Sequence, residues 1–273
     1  MVDNGKQPVD FNEDTLRGLL SGRRIGGSVY FFRKVASTNE IACELALKGA
    51  SEGTVVIADA QTKGKGRFNR VWQSPAGCNL YTSIVIRPPT EPALASQITL
   101  MTGVAVAEIL SSYCPYVTLK WPNDVQIGGK KVSGILAQMR ASGKRVDFII
   151  VGIGTNINMK RDAFEETIQD ISTSLREETG GDISRVDLTV KLYDSFERWY
   201  ARYIRDGFDP IRDMWLKYNS KGRHVQVVSG NELYKGEVVG IDGDGALLLR
   251  DENKITRRII AGDVSILRGL VCF

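Results

Sequence analysis

Residues 61–72 read Gln-Thr-Lys-Gly-Lys-Gly-Arg-Phe-Asn-Arg-Val-Trp, and four cations, Lys63, Lys65, Arg67 and Arg70, fall within eight residues. No carboxylate occurs between Asp59 and Glu91, so nothing nearby in the sequence offsets them. Gly64 and Gly66 let backbone N–H groups approach an anion closely, and guanidinium groups clamp oxygens at two points, as a polyphosphate or carboxylate site requires. Trp72 directly behind the cluster adds an apolar wall, so the expected pocket is half cationic and half apolar. A second cluster, Lys120-Trp121-Pro122-Asn123-Asp124, sets a cation, an amide and a carboxylate side by side. Its Asp124 is a candidate oxygen ligand for Mg²⁺. Alone, the first is equally a solvated basic loop and the second a capped turn. Lys131 follows Asp124 across Gly128-Gly129, a hairpin turn that folds it back towards the second cluster.

Other chemistries lack their parts. The single histidine, His224, cannot supply a His ligand cluster and leaves one candidate for a Ser-His or Cys-His dyad. Cys43, Cys78, Cys114 and Cys272 form no C-x-x-C pair and are expected to be buried thiols. Gly49-Ala50-Ser51-Glu52-Gly53 matches a nucleophile elbow in letters, but it joins a helix to a strand, the reverse of what the elbow needs. The glycines at 64–69 and 152–157 each lack the third glycine of a dinucleotide fingerprint, and no P-loop pattern occurs. Chemistry must therefore run on Lys, Arg, Asp and Asn.

The elements that carry these residues follow from periodicity. Short strands are expected at 29–32, 54–59, 80–86, 117–121 and 148–153, with a hairpin pairing 125–127 with 131–139. Helices are expected at 14–20, from Ser37-Thr38-Asn39-Glu40 to a stop at Gly49, over 91–112, and over 188–218 with a break at Asp209-Pro210. Period-two alternation sends Lys130 and Lys131 to opposite faces, so only one can enter a shared cleft. Beyond Asn219 the texture changes to short strands at 224–228, 234–241, 246–250, 256–260 and 264–267, a small β-barrel. The fold class is α+β: a mixed-sheet domain at 1–219 and a barrel at 220–273. With 273 residues, 42% apolar and 25% charged, the chain has length for a real core without disulfide staples. No leader and no uninterrupted apolar run of about 18 residues is present, which points to the cytoplasm and away from a membrane.

In this order, the motifs resemble those of biotin protein ligases, which attach biotin to a lysine of carrier domains, from about Gly27 to the C-terminus. Ser37-Thr38-Asn39 is similar to the family's biotin motif, Gln61 to the glutamine ahead of its glycine/arginine loop, and Gly64-Lys65-Gly66-Arg67 to Gly-Arg-Gly-Arg. Lys120-Trp121-Pro122-Asn123-Asp124 matches its Lys-Trp-Pro-Asn-Asp motif. Lys131-Val132-Ser133-Gly134-Ile135-Leu136 matches the catalytic segment, and Gly152-Ile153-Gly154-Thr155-Asn156 the nucleotide segment. Three departures stand out. Lys65 replaces an arginine fork by a point charge. Asn69 replaces a glycine, tolerable because asparagine accepts positive φ. Ile171, Ser172 and Thr173 stand where some relatives carry a tryptophan over the adenine.

The resemblance implies a class II synthetase-like fold with an SH3-like C-terminal barrel, ATP and biotin as substrates, Mg²⁺ beside Asp124, and a biotin carboxyl carrier domain as partner. A homodimer through an exposed sheet edge is a further expectation, and DNA binding is not expected, because the helix-turn-helix of some relatives has no counterpart here. The biotin carboxylate would attack the α-phosphorus of ATP, and a carrier lysine would then attack the biotinyl-5′-AMP formed. Lys131, Arg67 and Asp124 are the catalytic candidates, Lys131 bridging carboxylate and α-phosphate and Asp124 accepting the acceptor lysine's proton. Ser37, Thr38, Asn39 and Gln61 would pair with the ureido ring. Gly64, Lys65, Gly66, Arg67, Trp72, Lys131, Gly134 and Leu136 would line the rest of the biotin site. Lys65, Arg67, Lys120, Asn123, Asp124 and Asn156 would hold the nucleotide. Lipoate-attaching enzymes, which share this logic, and a basic nucleic-acid-binding module are the rival readings.

Overall fold

The computed structural model describes residues 10–219 and 224–266. Its larger sheet takes its strands in the order β1-β2-β3-β7-β6-β5-β4. These are β1 (Val29–Val35), β2 (Val55–Gln61), β3 (Leu80–Ile86), β4 (Val117–Lys120), β5 (Asp124–Ile127), β6 (Lys130–Ser142) and β7 (Arg145–Thr155). Strand β1 runs parallel to β2 through the crossover helix α2 (Thr38–Leu47), and every other pair is antiparallel. The sheet is thus mixed, as the pattern required.

One face of this sheet is covered by α1 (Glu13–Leu20), α3 (Ser96–Leu110), α5 (Arg185–Asp206) and α6 (Asp209–Tyr218), which bury Ile84, Val104, Ile135, Ile153 and Phe196 in one cluster. The residues over 92–110 are apolar enough to cross a membrane by composition, but in the fold they form a core helix packed between the sheet and α5. Among the described helices, α2 packs on the opposite face, where its Ala42 and Ala46 sit on Val56, Val85 and Ile150. A short α4 (Leu175–Thr179) closes the edge of the β7 exit. The rest of the second face is left for a site.

Strands β8 (His224–Ser229), β9 (Glu232–Ile241), β10 (Leu247–Arg250), β11 (Thr256–Ile259) and β12 (Asp263–Ile266) pair antiparallel in the order β11-β10-β9-β8-β12, consistent with an SH3-like fold. The five strands fall where alternation placed them. Val225, Leu247, Leu249 and Val264 belong to the same apolar cluster as the helical face of the large sheet. The Trp121 indole N–H donates to the Gly245 carbonyl at 3.0 Å, and Gln97 Nε2 to that of Gly243 at 2.8 Å, which docks the small sheet beside the second cluster. Among the described cysteines Cys114 is buried, and Cys43, on α2, and Cys78, in the loop before β3, are half-buried; Cys272 lies outside the described residues.

Candidate active site

The floor of the site is a patch of sheet stripped of side chains. Gly134 of β6 lies opposite Gly154 of β7, which in turn lies opposite Tyr81 of β3; Leu136, Gly152 and Ser83 form the next row. A Cβ on Gly154 would stand 2.5 Å from Trp72 Nε1, and one on Gly152 would stand 2.2 Å from Asn39 Oδ1. Glycine at these positions lets the indole and the Asn39 amide lie directly on the sheet. The repeated glycines of 152–154 therefore floor this slot, and Asn156 at the end of the segment reaches the adjoining cleft.

Lys131 reaches the same face by a β-bulge. The β5–β6 register shifts between Val125 and Gln126, so that Gln126 faces Lys131 while Asp124 faces Gly134. One inserted residue turns Lys131 onto the side of Gly134 and Leu136, which strict alternation would forbid. Its ammonium lies 2.6 Å from Asp124 Oδ1 and 5.2 Å from the Trp72 ring centre, a cation–π distance. The turn that makes this possible is the expected hairpin, with Gly128 and Gly129 at φ 57° and 82°. Lys130 is carried to the rim of the adjoining cleft.

Asp124 is the hub of the cationic half. Its side chain is 12% exposed, and Lys120 approaches its second oxygen at 3.1 Å. Burial pushes its pKa up, but the ammonium groups of Lys131 and Lys120 outweigh that and hold it below the usual carboxylate range. Two consequences bear on the sequence expectations. A carboxylate held ionised by two ammonium groups is the weaker proton acceptor for a carrier lysine. Both its oxygens are paired with cations, and no group of three metal-binding side chains occurs among the described residues, so a Mg²⁺ beside Asp124 would take its other ligands from the nucleotide's phosphates and water.

The basic loop lies between the two sheets. Acids distant in sequence offset two of its cations: Lys65 pairs with Glu40 at 2.6 Å, and Arg70 with Asp263 of β12. Arg67 is half-buried, donates to the Gly262 carbonyl at 3.0 Å and stands 3.5 Å from Asn123 Oδ1. Burial lowers its pKa, the charges of Asp263 and Asp124 opposing that. Asn69 does take positive φ, 58°, and so does Phe68 at 55°. Gly64 lines neither of the two spaces beside the loop; it is buried, and a Cβ there would meet the Trp72 carbonyl at 2.3 Å, so glycine lets the loop fold.

Two spaces meet at Gly66, Trp72, Asn123 and Lys131. One is a narrow slot of about 50 Å³ over the glycine floor, lined by Ser37, Thr38, Asn39, Gln61, Lys65 and Leu136 among others. The other is a cleft of about 820 Å³ bounded by Arg67, Arg70, Lys120, Asp124, Asn156 and Ile171, with Asp263 and Val264 of the small sheet on its far wall. Ser37 stands at the N-cap of α2 yet makes no capping bond, which leaves its hydroxyl for the slot. Thr38 N–H donates to Gln61 Oε1 at 2.9 Å. Asn39 lines the slot with much of its capacity already used: its Nδ2 donates to the Leu136 carbonyl at 3.2 Å and to Gln138 Oε1 at 2.8 Å, and its Oδ1 accepts from Ser83 at 2.6 Å. Asn156 holds the Thr173 carbonyl at 3.0 Å and keeps its amide oxygen for the cleft.

Sequence reading missed Ser83, Gln138 and Asp263. Ser83 and Gln138 were legible only as alternate positions of two strands, and Asp263 only once the small sheet is docked.

A family model for the biotin/lipoate A/B protein ligase family matches residues 31–156, and one for the biotin protein ligase C terminal domain matches residues 222–267. The chain is 36% identical to the bifunctional ligase/repressor BirA of Bacillus spizizenii over 96% of this chain and 81% of that protein. It is 36% identical to the biotin–[acetyl-CoA-carboxylase] ligase of Paracoccus denitrificans over 78% of this chain and 90% of that one. Among solved structures, the biotin protein ligase of Aquifex aeolicus in complex with biotin and ATP superposes with a TM-score of 0.76 at 32% identity, covering 89% of this chain and 99% of that one.

Proposed function

The chain belongs to the biotin protein ligases, enzymes that join biotin to protein, and we propose that it does so by forming biotinyl-5′-AMP and passing the biotinyl group to a lysine of a biotin carboxyl carrier domain. The observation that carries this reading is the junction of an apolar, glycine-floored slot and a cation-walled cleft at one ammonium, Lys131.

Biotin carboxylate and ATP are both anions and repel each other. Fixed cations that meet them in a partly dry site remove that repulsion and stabilise charge that builds as they react. In the proposed first step a carboxylate oxygen bonds to the α-phosphorus and the bond to pyrophosphate breaks. Lys131 sits where the slot opens into the cleft and would touch both groups, while Arg67 and Lys120 would hold phosphate oxygens and Asn156 the adenosine end. In the second step the acceptor lysine's neutral nitrogen bonds to the acyl carbon, AMP leaves with the electron pair of the broken acyl–oxygen bond, and the proton shed by the nitrogen passes to water or to the departing phosphate. Asp124 holds Lys131 and Lys120 in place throughout. Any Mg²⁺ would arrive on the nucleotide's phosphates.

Ser37, Thr38 and Gln61 supply the polar end of the slot, and Trp72, Gly134 and Leu136 its apolar walls. At about 50 Å³ the slot is smaller than the roughly 300 Å³ of ordinary ligand pockets, so the Trp72 ring, which lies against Gly134, Gly154 and Lys131, must slide to admit a bicyclic ligand. Over the adenine, Ile171, exposed at the cleft with Phe164 and Ile168 nearby, would supply the apolar cover. The test is direct: protein, MgATP, biotin and a carrier domain are mixed and the carrier is weighed by mass spectrometry, with lipoate in parallel. The mass of one biotin is expected; no addition, or addition of lipoate alone, overturns the reading.

A further inference from the structure

Three oxygens lie in a row behind the slot: Asn39 Oδ1, Ser83 Oγ at 2.6 Å from it, and Thr38 Oγ1 at 2.7 Å from Ser83 Oγ. All three are buried, and contacts this short each need a proton between them. Two hydroxyls supply two protons, so only their direction is open, and fixed backbone groups settle it. The Leu136 carbonyl can only accept, which sets the Asn39 amide with Nδ2 towards it and Oδ1 towards Ser83. The Ser83 hydroxyl must then donate to Asn39, and the Thr38 hydroxyl must donate to Ser83. At the other end the Ser74 hydroxyl donates to the Trp72 carbonyl at 2.8 Å, so Gln61 turns its Nε2 to Ser74 and its Oε1 to the Thr38 N–H. The 3.2 Å gap between Thr38 Oγ1 and Gln61 Oε1 needs no proton.

With its only proton committed backwards, Thr38 shows the slot a lone pair. On the reading of the slot as the biotin site, we propose that Ser83, with Asn39 and Gln138 behind it, is a positioning residue that fixes Thr38 as an obligate hydrogen-bond acceptor and so selects a ligand with a ring N–H at that point. A cyclic urea meets this condition. A dithiolane has no N–H to offer and would leave the threonine oxygen desolvated and unpaired. Without Ser83, the Thr38 proton is free to turn into the slot or towards Gln61, and the selection is lost.

The experiment uses the full chain and biotin-dependent ATP–pyrophosphate exchange, with biotin and its two mono-N-methyl ureido derivatives as ligands. Ser83→Ala is expected to raise KM for biotin by about 10–100-fold, the range for a lost buried hydrogen bond, with kcat and KM for ATP little changed. Discrimination against one of the two N-methyl derivatives should shrink by a similar factor, because that derivative lacks the N–H in question. Gln138→Ala, at an exposed position, should move the same ratio in the same direction but less, and it reads the relay should Ser83→Ala fail to fold. A biotin KM that rises while discrimination stays at the wild-type value would overturn the relay in favour of plain packing, as would an unchanged KM. Wild-type protein that exchanges with neither biotin nor its derivatives would instead overturn the biotin reading itself.

Discussion

Replacing Asp124 by Asn separates two roles that the same carboxylate could play. The change keeps shape and removes charge, leaving the ammonium groups of Lys131 and Lys120 with no partner. At their separations of 2.6 and 3.1 Å the gross attractions are about 6 and 5 kcal/mol at an effective dielectric constant near 20. Most of that offsets desolvation, and breaking a buried pair costs about 3–5 kcal/mol. Because the two lysine side chains are 30% and 23% exposed, water recovers part of the loss, leaving about 2–3 kcal/mol. If that energy holds Lys131 at the junction of slot and cleft, adenylation should slow by about 30–150-fold, at 1.4 kcal/mol per tenfold. The assay pairs biotin-dependent ATP–pyrophosphate exchange with transfer from purified biotinyl-5′-AMP to a carrier domain, both run well below the melting temperature. Exchange should drop by the stated factor and transfer should hold within a few-fold. Normal exchange with collapsed transfer would refute the anchoring role and make Asp124 the base for the acceptor lysine.

Lys131→Met keeps the stem against Trp72 and Gly134 but removes the charge; exchange should fall by about 10²–10³, as for loss of one preorganised donor, and a fall of less than threefold would exclude contact with the reacting groups. Gly154→Ala places a methyl 2.5 Å from the Trp72 indole nitrogen, so KM for biotin should rise steeply while KM for ATP holds, measured by exchange at varied substrate. Asp124 also carries a pH signature. Its pKa is lower in the folded chain, so its stabilisation is complete above the unfolded value of about 3.9 and disappears as pH falls through the folded value. The melting-temperature gap between wild type and Asp124→Asn should therefore close on acidification below about pH 3.9 and stay constant above it. Asp263→Asn breaks a pair whose Arg70 side is 64% exposed; stability should shift by no more than about 1 kcal/mol, while KM for ATP rises a few-fold as the loop loses its hold on the small sheet.

What the sequence made legible is local. Strand β3 begins and ends where its apolar run does, the five short strands of the tail fall at their alternating stretches, and Gly128-Gly129 makes the turn that brings Lys131 back to Asp124. Period and turn chemistry decide these features within a few residues of each other. The site residues that are polar and clustered in sequence, from Ser37 to Asn39 and from Lys120 to Asp124, were visible for the same reason.

The features that escaped depend on register or on docking. Strict alternation would place Lys131 and Gly134 on opposite faces, and only the shift between Val125 and Gln126 reverses that, a displacement that no side chain in the run announces. The basic loop looked unopposed because its partners, Glu40 and Asp263, lie 25 and 193 residues away along the chain. Asn39 read as a ligand contact because it stands beside two others, yet its position on α2 turns it onto Gly152 and into a network with Ser83 and Gln138. A motif can thus fix which residues gather at a site while leaving open which of them face the ligand. Proton counting along Asn39, Ser83 and Thr38 narrows that here, since the one Thr38 proton is committed to Ser83 and its oxygen meets the slot only as an acceptor.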